Sequence, residues 1–148
     1  MNKIAVIPAR AGSKRLPKKN YKSFNSRTLV EIARDKCLAA GIFDKVIISS
    51  DDPFFEGLVN CNQVEFLKRS QNLAGDNATT DVVIDFFFKE IPSCDSILWV
   101  NSVSPLQSIQ DIKNCGTRLS DPQVDCVMAA NTLYQHCCIG NKPLNFDP

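Results

Sequence analysis

Apolar and polar positions along the chain alternate between short, β-branched runs and longer segments with a helical repeat. The short runs are largely apolar along their whole length, as in strands that are buried on both faces of a sheet. Turn-forming residues bound most of them. The predicted strands are Lys3–Ile7, Lys45–Ser49, Val64–Leu67, Ser96–Val100 and Cys126–Ala130.

Segments with helical spacing separate most of these strands. The predicted helices are Thr28–Ala40, Phe54–Asn60, Ala78–Glu90 and Ser108–Leu119, and Gly41 ends the first of them. The inward-facing residues are predicted to be Leu29, Ile32, Ala33, Cys37 and Ala40 in the first helix, and Val82, Val83, Phe86 and Phe87 in the third.

Strands that alternate with helices predict an α/β fold, with a mostly parallel sheet and helices on both faces. The 148 residues fit one domain. In such sheets, ligands bind beyond the carboxyl ends of the strands. The polar segments predicted to lie there are 8–20, 50–52, 69–80 and 101–107, and the third of these leads into a helix N-terminus, which favours anions.

Positive charge is concentrated at one end of the chain. Residues 1–30 contain eight of the 17 lysines and arginines and none of the 16 acidic residues, although the net charge is only +1. The mild net charge gives no indication of bulk attraction to nucleic acids or membranes. The local excess of cations indicates a binding site instead.

The seven cysteines are an odd number and lie mostly in predicted strands and helices, without a CxxC pair. This pattern predicts reduced, buried thiols in a cytoplasmic protein. Cys137 and Cys138 follow His136, the only histidine, and could form half of a metal site. Because no second pair of ligands follows at a suitable spacing, an exposed loop is the favoured interpretation.

The first predicted strand leads directly into "PARAGSKRLPKKN", which contains five cations, one glycine and no acidic residue. Such cations can neutralise a polyphosphate, and Gly12 would allow the backbone to approach it closely. Neither G-x-x-x-x-G-K-[ST] nor G-x-G-x-x-G is present, which argues against P-loop enzymes and NAD enzymes. A solvated basic loop is the alternative, but long loops without secondary structure are uncommon in compact domains unless they are functional.

Four segments, in the same order, resemble those of cytidylyltransferases that activate acidic sugars. "IPARAGSKRLPKKN" closely resembles the N-terminal signature of that family, and "FDKVIISSDD" resembles its second strand. "LKRSQNLAGDNATTDVV" is similar to its arginine-containing loop and helix start, and "LWVNSVSPLQ" to its Leu-Leu-Gln-Pro-Thr-Ser-Pro-Leu-Arg segment. The motifs cover nearly the whole chain, which thus resembles the N-acylneuraminate cytidylyltransferase family.

The resemblance implies a nucleotide-diphospho-sugar-transferase-like sandwich and a CTP-dependent nucleotidyltransferase. In the implied reaction, the anomeric hydroxyl of a 2-keto-3-deoxy acid sugar attacks the α-phosphorus of CTP, and pyrophosphate leaves with the assistance of Mg²⁺. Catalysis of such an in-line displacement depends mainly on positioning and charge neutralisation. The implied partners are CTP and sialic acid or a related nonulosonic acid, without nucleic acid or membrane, and full-length members are expected to be homodimers.

The resemblance also implies roles for individual residues. Arg10 and Lys19 match phosphate-contacting residues and form the implied catalytic pair. Arg69 matches an arginine that helps to recognise cytosine, and Asn101 matches a glutamine that contacts the substrate near the sugar. The implied nucleotide site comprises Pro8, Ala9, Arg10, Ser13, Lys14, Lys19, Asn20, Arg69, Ala78 and Thr80.

Simpler interpretations exist for several of these residues. Asn20 could only terminate the loop, and Arg69 could be a surface ion-pair partner. Thr80 or Asp76 could be only the N-cap of the following helix. The segment 50–52 (Ser-Asp-Asp) could bind a metal ion, although helix capping and loop structure are the favoured interpretation.

The chain departs from the family pattern at Asn101, which stands in place of the glutamine, and at Gln107, which stands in place of an arginine. The second change removes a cation near the expected acidic sugar. The sugar is therefore expected to differ from sialic acid, or the lost charge to be replaced elsewhere.

The sequence ends at Pro148, in the segment "GNKPLNFDP". The resemblance places the dimerisation segment, much of the sugar pocket and the aspartate pair that carries Mg²⁺ beyond Pro148, so no metal ligand is assigned within the chain. We therefore expect residues 1–148 to form the N-terminal part of a nucleotidyltransferase domain, with a partial nucleotide site and little or no turnover.

Three other functions compete with this interpretation. A 3-deoxy-manno-octulosonate cytidylyltransferase would keep the reaction, but it typically has a Gly-Asp-Glu-Pro-type segment where this chain has "NSVSPLQ". A nucleotide-binding module without chemistry is a second alternative. Nucleic-acid binding through the basic loop is the third, and it would be steeply dependent on salt.

Overall fold

The computed structural model of the chain describes residues 1–13, 16–130, 138–139 and 142–143. The strands are β1 (Lys3–Pro8), β2 (Ser23–Phe24), β3 (Arg27–Thr28), β4 (Lys45–Ser50), β5 (Val64–Lys68), β6 (Ser96–Trp99), β7 (Cys138–Ile139) and β8 (Lys142–Pro143). The α-helices are α1 (Leu29–Ala40), α2 (Gln71–Ala74), α3 (Thr80–Glu90) and α4 (Ile109–Arg118), and the 3₁₀-helices are Lys19–Tyr21 and Pro53–Leu58.

Four of the strands form a parallel sheet in the order β5-β4-β1-β6. Residues of β1 alternate between the two faces of this sheet. Ala5 and Ile7 pack in one apolar cluster with α1 and α4, and Ile4 and Val6 pack in the other with Val83 and Phe87 of α3. The predicted parallel sheet with helices on both faces is confirmed.

The main elements lie within one or two residues of their predicted positions. The predicted strand Cys126–Ala130 is wrong, because this segment pairs with no strand in the described part of the chain. The predicted loops also contain short elements, namely α2, the 3₁₀-helix Lys19–Tyr21 and a hairpin of β2 and β3. The predicted helix Phe54–Asn60 is the 3₁₀-helix Pro53–Leu58.

Two helices begin with a capping box. Thr28 and Glu31 form a reciprocal capping box at the start of α1, and Ser108 and Asp111 form another at α4. Helix α1 ends at Gly41, whose φ of 64° lies in the left-handed region that glycine tolerates best. These signals fix the ends of the two helices that cover one face of the sheet.

Burial of the helix faces follows the prediction only in part. In α1, four of the five predicted residues are buried and Leu29 is half-buried. In α3, Val83 and Phe87 are buried and Phe86 is half-buried, but Val82 is 50% exposed. The prediction for Val82 is wrong because its direction differs by about 100° from that of Val83, which faces the sheet.

The six described cysteines are all free thiols, but only Cys37 is buried. Burial raises the pKa of the Cys37 thiol to about 12. The prediction of buried thiols is thus wrong for the other five, which lie at half-buried or exposed positions. Among the described residues, the helices are too short or too polar to span a bilayer.

Candidate functional site

A cavity of about 300 Å³ lies at the carboxyl ends of β1, β5 and β6, next to the N-terminus of α3. This is the position at which open α/β sheets bind their ligands. Most of the predicted site residues line it, namely Pro8, Arg10, Ser13, Lys19, Asn20, Arg69, Ala78, Thr80 and Asn101.

Among the described residues, one predicted site residue does not line the cavity. Ala9 is fully buried in the apolar cluster under α1, and its backbone N–H donates to the Ser49 carbonyl oxygen at 2.8 Å. Lys14 lies outside the described residues, as does Arg15. The structure thus brings together residues from three of the four predicted polar segments, namely 8–20, 69–80 and 101–107.

The side chain of Asn20 holds the basic loop, residues 8–20, in place. Asn20 is 4% exposed, and its Nδ2 donates to the backbone oxygen of Arg10 at 2.9 Å. Its Oδ1 accepts from Oγ of Ser102, a buried residue that follows β6, at 2.8 Å. Both the NH₂ group and the oxygen of the Asn20 carboxamide are thus hydrogen-bonded to protein atoms. Asn20 therefore positions the loop from within rather than only terminating it.

Residues 50–52 provide a second anchor for the basic loop. The backbone N–H of Ala11 donates to Oδ1 of Asp51 at 2.9 Å, and the Tyr21 hydroxyl donates to Asp52. The hydrogen bond from Tyr21 lowers the pKa of Asp52, while burial and the same bond raise the pKa of Tyr21. Asp52 also caps the next 3₁₀-helix by accepting from Phe54 N at 2.8 Å. The favoured interpretation of this segment as capping and loop structure is confirmed.

Arg69 is the most unusual cation of the cavity. Its side chain is 4% exposed, and its Nε is buried without a hydrogen-bond partner. Burial lowers its pKa, and attraction from Asp51 opposes that effect. Its interpretation as a surface ion-pair partner is wrong. A buried guanidinium that is incompletely paired is costly, so a ligand that supplies acceptors would offset its desolvation.

Arg10 and Lys19 are more exposed to solvent than Arg69. The Arg10 side chain is 38% exposed, and its Nη1 lies 3.1 Å from Oδ1 of Asp76. Lys19 is half-buried at the start of a 3₁₀-helix, where Lys18 takes a left-handed conformation with φ of 53°. Together with Arg69, these residues line one cavity with three cations.

The N-terminus of α3 adds a fourth positive element. Its N-cap is Thr79, which forms no side-chain capping bond, so the alternative interpretation of Thr80 or Asp76 as only the N-cap is wrong. Thr79 and Thr80 both line the cavity. The first amides of a helix lack intrahelical partners and carry the positive end of the helix dipole, so they favour an anionic ligand.

The cavity residues that the sequence interpretation missed include Thr79, Trp99 and Ser102. Trp99 Nε1 donates to Oδ1 of Asn101 at 2.9 Å. All three lie within the quoted motifs, but nothing in the sequence indicates which side chains face the cavity. Gln107 lies outside the cavity wall, where its backbone oxygen accepts from Lys36 Nζ at 2.6 Å.

The donor set of the cavity does not fit a resident metal ion. Among the described residues, no three His, Cys, Asp or Glu side chains are grouped as metal ligands. Asp51 accepts from a backbone amide and Asp76 pairs with Arg10. The carboxylates nearest the cavity are therefore already engaged with protein groups.

The other metal ligands that the sequence suggests cannot be placed in this cavity. Of the candidate ligands His136, Cys137 and Cys138, the first two lie outside the described residues, and Cys138 is an exposed free thiol. Pro148 also lies outside them, and the resemblance places the aspartate pair for Mg²⁺ beyond that residue. The location of this pair after Pro148 stays a prediction.

Comparison with known proteins places this site in context. A family model described as cytidylyltransferase matches residues 4–142. The chain is 29% identical over 135 residues to a pseudaminic acid cytidylyltransferase of Campylobacter jejuni, covering 88% of this chain and 58% of that protein. It is 26% identical over 138 residues to an N-acylneuraminate cytidylyltransferase of Streptococcus agalactiae, covering 92% of this chain and 33% of that protein.

A solved structure shows the same fold. It is described as a CMP:2-keto-3-deoxy-manno-octonic acid synthetase complexed with CTP, and it superposes with a TM-score of 0.66 over 83% of this chain and 49% of that chain. At 18% sequence identity, this likeness concerns the fold alone. The chain thus spans about a third to three fifths of the length of these curated relatives.

Proposed function

This chain belongs to the cytidylyltransferase family, and we propose on that premise that its cavity binds CTP for transfer of CMP to an acidic 2-keto-3-deoxy sugar. The observation that carries the proposal is the buried Arg69 guanidinium, whose Nε has no partner, in a cavity shared with Arg10 and Lys19. A triphosphate supplies negative charge, and cytosine supplies hydrogen-bond acceptors, so both satisfy this site.

The cations divide the ligand between them in this proposal. Arg10 and Lys19 lie on the basic loop and bind the phosphates, together with the amides at the start of α3. Arg69 follows β5, is buried in the same cavity, and recognises cytosine. Cytosine O2 and N3 are both acceptors that suit the arginine fork, whereas uracil carries a hydrogen on N3.

The proposed reaction is an in-line displacement at the α-phosphorus. The anomeric hydroxyl of the sugar forms the new P–O bond, and the bond to the β-phosphate oxygen breaks as pyrophosphate leaves. Arg10 and Lys19 act as the catalytic residues because they neutralise charge that develops on the phosphate oxygens. Asn20 acts through them by holding the loop that carries them.

Mg²⁺ is the proposed cofactor of the complete reaction. Since the described residues form no metal cage, we assign no step to it in this chain. Mg²⁺ is commonly bound by substrate phosphates with one or two carboxylates, so it would arrive with CTP.

The proposed sugar is a nonulosonic acid, and the names of the two curated relatives support this choice. Because the chain spans only part of their length, the complete reaction is proposed for the whole catalytic unit. Residues 1–148 are proposed to supply its nucleotide-binding part, and a homodimer is proposed for the full-length unit. A cytoplasmic location is also proposed, and the free thiols of the described cysteines support it.

The test is a calorimetric titration of Arg10→Ala with CTP. Loss of a charge-assisted contact is expected to weaken binding by about 10-fold or more. Lys22→Ala is the matched control, because Lys22 also lies in the basic N-terminal region but outside the cavity wall. Equal affinity of the Arg10 variant and the wild type would remove Arg10 from the site.

Turnover is tested separately by pyrophosphate release from CTP and N-acetylneuraminate. Little or no turnover is expected if residues 1–148 supply only the nucleotide-binding part. A rate typical of an intact enzyme would contradict that division of the domain, but it would not contradict the proposed CTP site.

A further inference from the structure

Trp99 is the last residue of β6, and its indole connects the protein core to the cavity. The ring packs against Phe87, which is fully buried, with centroids 5.8 Å apart and an interplanar angle of 61°. The next residue, Val100, donates its backbone N–H to the backbone oxygen of Val6 at 2.8 Å. The indole is therefore held by the core, and it reaches the cavity wall from there.

The hydrogen bond between Trp99 and Asn101 fixes the direction of an amide. An indole N–H can only donate, so the Asn101 atom that lies 2.9 Å from it must be the carboxamide oxygen. The NH₂ group of Asn101 is consequently turned away from Trp99. It has no acceptor within the described part of the chain, and Asn101 lines the cavity.

The backbone around Asn101 is held on both sides. Ser102 is 3% exposed and bonds to Asn20 at 2.8 Å, while Trp99 is anchored to the core. A side chain that is carried by such a fixed segment keeps its orientation without a ligand. Because Asn101 is exposed, the orientation of its amide depends on the hydrogen bond from Trp99 Nε1.

We propose that Trp99 is a positioning residue that sets Asn101 to donate its NH₂ hydrogens to an anionic oxygen of the bound substrates. The inference rests on the proposed function, and it makes Trp99 a determinant of substrate selection. Such an oxygen belongs either to the carboxylate of the acid sugar or to the triphosphate of CTP. The NH₂ group of Asn101 is a neutral donor. It accords with a chain in which Gln107 stands where the family resemblance leads us to expect arginine, and Gln107 lies outside the cavity wall.

The contact itself is tested by the single tryptophan of the chain, whose indole N–H gives one resonance in a ¹⁵N-correlated NMR spectrum. Asn101→Leu removes the acceptor, so this resonance is expected to shift and to exchange faster with water. Asn62→Leu is the matched control, because Asn62 is exposed and precedes β5 at the opposite edge of the sheet. An unchanged indole resonance in Asn101→Leu overturns the proposal.

The role of the contact is tested by calorimetric titration with CTP alone, and with N-acetylneuraminate at saturating CTP. Asn101→Asp replaces the donor with a carboxylate of the same size, and about 10-fold or weaker binding is expected for the ligand that it contacts. Trp99→Phe keeps the ring but frees the amide to rotate. If both orientations are then populated equally, binding weakens about twofold. Asn62→Asp is expected to leave both affinities unchanged.

The two titrations distinguish the two sources of the anionic oxygen. A loss confined to N-acetylneuraminate assigns the contact to the sugar carboxylate, and a loss in the titration with CTP alone assigns it to the triphosphate. Equal affinities of wild type, Trp99→Phe and Asn101→Asp for every ligand that the wild type binds overturn the proposal. Failure of the wild type to bind CTP would instead refute the proposed function, and the indole resonance would still decide whether Trp99 and Asn101 are bonded.

Discussion

Replacing Arg69 by methionine should stabilise the ligand-free protein and weaken its binding of CTP. The Arg69 side chain is 4% exposed, its Nε has no partner, and burial lowers the pKa of the guanidinium. Methionine has a similar length and no charge, so Arg69→Met removes the desolvation cost and keeps much of the packing. A buried arginine with a purely structural role would show the opposite change in stability.

The size of the stabilisation follows from the surroundings of Arg69. Replacing buried ionic groups by apolar residues of similar volume is often neutral or stabilising by about 1–4 kcal/mol. Attraction from Asp51 offsets part of the cost here, so we expect about 1–2 kcal/mol. In a domain of this size, that change raises the Tm by about 3–6 °C.

The loss of affinity follows from the contacts that the guanidinium would make. Hydrogen bonds that involve a charged group contribute about 1.5–3 kcal/mol. Arg69→Met should therefore weaken CTP binding by about 10- to 150-fold.

Differential scanning calorimetry without ligand and titration calorimetry with CTP measure the two effects. Arg118→Met is the control, because Arg118 is exposed at the end of α4 and lies outside the cavity wall. Its effect should stay within about 0.5 kcal/mol. A lower Tm together with an unchanged CTP affinity in Arg69→Met would contradict both predictions. Arg69 would then stabilise the fold and would not bind the ligand.

Two further predictions concern the anchors of the basic loop. Ser102→Ala leaves the buried Oδ1 of Asn20 without its donor. Urea unfolding should therefore show a free energy of unfolding that is lower by about 1–3 kcal/mol, and CTP binding should weaken. An unchanged free energy of unfolding would show that the bond is dispensable. Tyr21→Phe removes the hydrogen bond that lowers the pKa of Asp52. A lowered carboxyl pKa contributes stability above the unfolded value near 3.8, and this contribution is lost as the pH falls through the folded pKa. The wild type should thus exceed Tyr21→Phe in free energy of unfolding at pH 7, with a smaller difference at pH 3; a difference that is independent of pH would contradict this.

The order of strands and helices could be predicted from the sequence because hydrophobic periodicity depends on local neighbours. The strand Cys126–Ala130 could not be excluded in this way, because a strand needs a partner and pairing is not local. The predicted inward orientation of Val82 is wrong for a related reason. Val82 and Val83 are adjacent and point about 100° apart on the helix, and the sequence does not say which of them turns away from the sheet.

The candidate site could be located from the sequence more readily than the roles within it. The basic loop and the segments after β5 and β6 follow from the order of the elements and from the resemblance. The burial of Arg69, the bonding of Asn20 to Ser102 and the orientation of Asn101 depend on contacts between distant segments. Such contacts are set by the tertiary packing, and no local pattern encodes them.

The most direct test of the CTP site is a calorimetric titration of this chain with CTP, UTP, ATP and GTP, with and without Mg²⁺. We expect selective binding of CTP, because the Arg69 fork matches the two acceptors of cytosine and the cations of the basic loop match the triphosphate. Equal binding of all four nucleotides, or binding of none, would contradict the assignment of the cavity as a CTP site.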